Sequence, residues 1–203
     1  MVITIFLRNE DFRTFLRLYP IVSMIVAIQL IVFLLINFGP YQYSLFHLMA
    51  GSNYYIREGE YWRFVTPIFT HQGFLHLLFN SFSLVLFAPA LERILGKVKF
   101  LIGYLGAGII ADIATYLMLP LDYVHIGASG AIFGLFGIYL YLMYSRKEYF
   151  SRADSQILLI FLIINLGSTF ISNESINVLG HLFGLVGGAA LAPLLMALVP
   201  RRR

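Results

Sequence analysis

Residues 125–145 read HIGASGAIFGLFGIYLYLMYS, His125 to Ser145. From Ser129 to Tyr144 the run is apolar enough to sit in a membrane. It begins with a single serine set among Gly127, Ala128 and Gly130. Small residues in membrane helices usually serve tight packing. They also leave room for something to approach a reactive side chain. The helix is short as well: sixteen residues rise roughly 24 Å, less than a hydrocarbon core of about 30 Å. One end must therefore stop inside the membrane. The preceding segment PLDYVHIGA must dip inward to meet Ser129. Irregular backbone at that depth survives only when shielded by protein or bathed by water, so a water-accessible cavity with Ser129 at its floor is expected.

The rest of the chain sets this segment in context. Its 203 residues are 60% hydrophobic and only 12% charged, a bilayer composition rather than a soluble one. Six apolar spans are expected near Pro20–Phe38, Phe74–Leu91, Phe100–Leu119, Ser129–Tyr144, Ile157–Ile171 and Leu179–Val199. The fold class is an all-α membrane protein with a short fourth helix and a long first outer loop, about Gly39 to Gly73. No linker, low-complexity tract or repeat divides it. The expected divisions are an N-terminal segment 1–19, a membrane domain 20–199 and a basic tail 200–203. The N-terminal segment mixes arginines and acids with apolar residues and lacks a cleavage pattern, so it reads as a short amphipathic helix on the membrane surface.

Basic residues orient the bundle. Arg8, Arg13 and Arg17, then Arg93, Lys97 and Lys99, then Arg146, Lys147 and Arg152, then Arg201–Arg203 fall on one side of six spans. Only Arg57 and Arg63 fall on the other. The positive-inside rule then makes both termini cytoplasmic. The net charge of +4 is a topology signal, with no basic, aromatic-interleaved patch for nucleic acid. The absence of cysteine excludes disulfides, thiolate catalysis and Cys-based metal sites.

Polar groups inside membrane spans are functional candidates, and here they share a depth. Measured along their helices, Ser129, His76 and His181 lie roughly 25–30 Å from the basic residues Arg146, Arg93 and Arg201, with Asn80 about one turn deeper. A serine becomes a nucleophile when a neutral histidine takes its proton. An oxyanion needs donors, which His and Asn side chains and free N–H groups at a helix start supply. His76 and Asn80 share a helix face, suiting the oxyanion and leaving His181 as base. The donors beside them are the backbone of Ser129 and Ala128. Gly184 and Gly188 form a smooth stripe on the last span, and Gly130, Gly134 and Gly137 a similar face on the fourth; contact between them would bring Ser129 to His181. No acid clearly completes a triad: Asp122 and Glu174 lie in outer loops, and Asp112 is expected to be protonated or bonded to a neighbour. His71 reads as a loop or interface residue, His47 and His125 as interfacial, and Trp62 and Arg63 as anchors snorkelling at the interface.

At these residues the sequence resembles the rhomboid family of intramembrane serine proteases. GASG (Gly127–Gly130) is similar to the family's GxSG motif, HLLFN (His76–Asn80) to its HxxxN motif, and GHLFGLVGG to its AHxxGxxxG pattern with Gly180 in place of the usual Ala. EYWRF (Glu60–Phe64) resembles the Trp-Arg element of the long first loop. The resemblance covers roughly Pro20 to Val199 and implies the basic six-helix form. It implies Ser129 as nucleophile, His181 as base, and His76 and Asn80 as oxyanion donors. A family position that is often Tyr is Phe133 here, expected to stack on His181. Phe79, Phe133 and Gly127 are expected along the substrate approach. The implied activity is cleavage of single-pass membrane proteins near their outer ends, without cofactor or metal. The lipid bilayer is the other expected partner, and a bacterial plasma membrane the expected location. The competing reading is a catalytically silent relative that binds membrane clients; retention of both Ser129 and His181 argues against it. A transporter would show inverted repeats, and a metalloprotease an HExxH motif; neither pattern occurs.

Overall fold

Pro20 supplies the fixed φ that suits a first helical position, and from it runs the first long helix. The computed structural model describes residues 5–6, 8–171, 176–197 and 199. Nine α-helices are present among them: α1 (Phe12–Leu18), α2 (Pro20–Phe38), α3 (Gln42–Met49), α4 (Asn53–Arg57), α5 (Phe74–Leu95), α6 (Lys97–Met118), α7 (Ser129–Ser145), α8 (Arg152–Ile171) and α9 (Val178–Met196). Four of these, α2, α5, α6 and α9, are long and apolar enough to cross a membrane. Helix α7, at 17 residues, is shorter, as its sequence requires. The expected loop position of Glu174 and the basic tail lie outside the described residues.

Helix α7 is the centre of the molecule. Ala131 through Tyr139 are all buried, against α6 on one side and α9 on the other. Its glycine face meets the α9 stripe backbone to backbone. A Cβ on Gly184 would stand 2.1 Å from the Gly130 carbonyl oxygen, and one on Gly188 only 1.9 Å from that of Gly134. Between two membrane helices there is little hydrophobic drive, so this close approach supplies the attraction through dispersion.

The long connection from α2 to α5 is folded rather than draped. Its Gly51–Ser52 pairs antiparallel with Val124–His125, giving strands β1 and β2 in register Gly51↔His125. Asn53 donates to the Leu119 and Pro120 carbonyls at 3.1 and 2.9 Å, which ties the connection to the end of α6. Of the irregular stretch before Ser129, His125 and Ala128 are thereby buried, while Pro120–Asp122 and Val124 stay exposed. Arg63 departs from the interfacial expectation. It is 2% exposed, paired with Glu60 at 2.5 Å and donating to the His47 and Ala50 carbonyls at 2.6 Å each. A guanidinium with its donors so matched gains more inside the loop than by reaching water. Trp62, by contrast, stays 46% exposed, its indole N–H bonded to the Leu48 carbonyl.

At the opposite end, Glu92 of α5 accepts the Ile21 and Val22 N–H groups at 3.0 and 2.9 Å, capping α2 from a neighbouring helix. The segment ahead of α1 does not simply lie on a surface. Phe6 inserts edge-on between Phe87 and Tyr139, with centroids 5.3 and 5.7 Å apart, and Arg8 donates to the Val85 and Leu86 carbonyls.

Candidate active site

Ser129 is the first residue of α7, so its N–H has no carbonyl one turn earlier to bond. Its Oγ lies 2.8 Å from His181 Nε2. The contact joins residues 52 apart, on the two helices that the glycines press together. His181 occupies the first turn of α9, whose start is capped by Asn177: its Oδ1 accepts the Gly180 N–H at 2.8 Å, and its Nδ2 donates to Thr115 Oγ1 of α6 at 2.8 Å. A Cβ on Gly180 would come within 2.7 Å of that Asn177 amide, which accounts for glycine where alanine was the pattern.

The imidazole of His181 is held on its other sides too. Phe133 stacks on its face, centroids 4.4 Å apart and planes 22° from parallel. Its Nδ1 lies 2.9 Å from Thr169 Oγ1 on α8. No carboxylate occupies that position. Asp112, buried on α6, stands 3.1 Å from His125 Nε2 instead. His125 is therefore buried and not interfacial: its ring lies against Gly51, where a Cβ would approach Cε1 to 2.4 Å.

Gly127 adopts φ +113°, a conformation that strains any residue with a Cβ. Its N–H donates to the Pro67 carbonyl at 2.9 Å. The space a side chain would fill belongs to His76, whose Nε2 would lie 2.6 Å from a Cβ there. The HxxxN histidine thus sits two residues from the serine. Asn80, one turn on, is buried and donates to the His76 carbonyl at 2.8 Å. Ala128 is buried at the N-cap of α7, its carbonyl accepting the Ile132 N–H. Phe79 faces outward, 65% exposed, and makes no ring contact among the described residues.

Two residues near the site escaped the sequence reading. His71 lies in a loop ahead of α5, as expected, but its burial is unforeseen: it is fully buried, its ring edge-on to His76 at 5.0 Å. Burial and then the neighbouring His76 push it down to about 3. Thr169 was not singled out at all. The depth test would have found it: it lies seventeen residues from Arg152, roughly 25 Å of helix, the same rise that separates Ser129 from Arg146.

The sequence model of the Rhomboid domain matches residues 58–198. The chain is 48% identical over 198 residues to YdcA of Bacillus subtilis (strain 168), whose name assigns it provisionally to the rhomboid proteases; the match covers 97% of this chain and 99% of that one. It is 40% identical over 168 residues to the rhomboid protease GluP of the same organism, covering 81% of this chain but 32% of GluP. The rhomboid-like protease 1 of Toxoplasma gondii is 30% identical over 149 residues, 71% of this chain and 51% of that protein. The apolar helices and these bacterial relatives describe a multi-pass membrane protein. The matched domain runs through His76, Ser129 and His181 alike, and the chain belongs to the rhomboid family.

Proposed function

We propose that this protein is an intramembrane serine endopeptidase working through a Ser129–His181 dyad. The observation that carries the reading is the 2.8 Å contact between Ser129 Oγ and His181 Nε2 at the start of a short, central helix. In the reaction, His181 Nε2 takes the Ser129 hydroxyl proton as Oγ bonds to the scissile carbonyl carbon. The carbonyl oxygen becomes an oxyanion, met by the Ser129 N–H, the Ala128 backbone, the His76 ring and the Asn80 amide. Asn80 now donates within its own helix, so it contributes by turning its amide as charge develops. Collapse breaks the C–N bond, and His181 returns the proton to the leaving amine. Water then hydrolyses the acyl ester by the same route, regenerating Ser129.

The substrate in this reading is a single-pass transmembrane protein. A helical carbonyl is occupied by its own hydrogen bond, so the scissile segment must unwind, and small or helix-breaking residues favour that. Gly127, Phe133 and the outward-facing Phe79 border its approach. The reading includes six membrane crossings within 20–199, cytoplasmic residues 1–19 and 200–203, and a dyad toward the outer face of a bacterial plasma membrane, supported by the distribution of basic residues.

The test is purified wild type and Ser129→Ala in detergent, each given a tagged single-pass substrate and a serine-reactive fluorophosphonate. Wild type alone should cleave and be labelled, and His181→Ala should be inert. Equal cleavage by Ser129→Ala sinks the serine mechanism. A folded wild type that neither cleaves nor labels points to client binding instead.

A further inference from the structure

We propose that Thr169 is a positioning residue that holds His181 as the Nδ1–H tautomer and so turns the Nε2 lone pair toward Ser129. The proposal rests on the dyad reading above and adds a third residue, from α8, to it.

The argument is a count of protons. A threonine hydroxyl has one proton to donate and lone pairs to accept with. In this structure Thr169 Oγ1 donates to the Asn165 carbonyl, 2.9 Å away on the preceding turn. Its proton is then committed, and toward His181 Nδ1, at 2.9 Å, the oxygen acts as acceptor. An acceptor there calls for a proton on Nδ1. A neutral imidazole with Nδ1–H carries its lone pair on Nε2, the atom 2.8 Å from Ser129 Oγ. Thr169 is 4% exposed and His181 8%, so water is a poor competitor for either group. When His181 receives the serine proton both ring nitrogens become donors, and the Nδ1–H bond to Thr169 strengthens by becoming charge-assisted. The role usually given to a carboxylate is filled by a neutral hydroxyl, because the nearby acid, Asp112, faces His125.

The experiment uses the full chain in detergent with ¹⁵N-labelled histidine, the His181 signals assigned by their loss in His181→Gln. Wild type should show His181 protonated on Nδ1 and bare on Nε2. Thr169→Val keeps the shape but leaves Nδ1–H without an acceptor. It should lose the single-tautomer signature and lower kcat, or the rate of fluorophosphonate labelling, by about tenfold to a hundredfold with KM unchanged. Thr169→Ser should restore both. A wild-type ring protonated on Nε2 overturns the proposal, as does a Thr169→Val protein with wild-type tautomer and rate. The tautomer of the wild type needs no turnover and no substitution at Thr169, so it decides the matter even where Thr169→Val fails to fold. Absence of labelling in wild type would count against the dyad reading, which is a separate result.

Discussion

Phe133 shows how one side chain controls another without touching the reacting atoms. Its ring lies on the His181 imidazole at 4.4 Å and blocks rotation out of the Ser129–Thr169 line. An aromatic pair of this kind contributes about 0.5–1.5 kcal/mol beyond its burial. Phe133→Leu is therefore expected to lower kcat about threefold to tenfold and, because Phe133 is buried, to lower the unfolding temperature modestly as well. Phe133→Tyr should keep the stack and the rate. Steady-state cleavage with a fixed transmembrane substrate measures both, and an unchanged kcat in the leucine variant would show the stack to be incidental.

At the scale of elements, the α7–α9 contact is the part of the fold most legible in the sequence. Glycines three and four apart predict close helices, and the carbonyls of Gly130 and Gly134 occupy the space that side chains at Gly184 and Gly188 would need. Gly188→Ala is expected to destabilise the protein by about 2–3 kcal/mol, because the obstacle is backbone and cannot rotate away. The activity loss should exceed what unfolding explains, since the helices part beneath the site. Denaturation in mixed micelles beside cleavage assays would reveal it; unchanged stability would mean the helices adjust freely. The limits of α2 were legible for a related reason, since Pro20 fixes its start and the apolar run stops at Phe38, whereas α5 runs on to Leu95, past the expected Leu91, and α8 begins at Arg152, ahead of the expected Ile157. The buried polar pairs were not. His125 with Asp112, and Arg63 with its two carbonyls, join residues far apart in the chain through loop folding, and no period in the sequence encodes such a meeting. Phe6 was hidden likewise, since an isolated aromatic in a charged segment carries no pattern.

For the whole molecule, stability should depend on acid through His71. Its folded pKa, about 3, lies below the unfolded value near 6.5 because burial, and then His76, disfavour the charged ring. Between those values the unfolded chain binds more protons, so stability is full above pH 6.5 and declines as pH falls toward 3. From pH 7 to 5.5 the loss is about 1 kcal/mol, and His71→Phe should remove it. Unfolding temperatures across that range measure it, and parallel curves for the two proteins would assign the acid sensitivity elsewhere. One consequence of the glycine contact concerns error rather than strength. Misplacement along a helix grows with distance from the nearest fixed point. The Gly130–Gly184 notch lies one residue from Ser129 and three from His181, about 1.5 and 4.5 Å of rise. Tilting of the far ends by bilayers of different thickness, including any bend at Pro193, must pass this fulcrum first. Oγ and Nε2 sit on the short arm of the lever, so large excursions of the helix ends reach them much reduced.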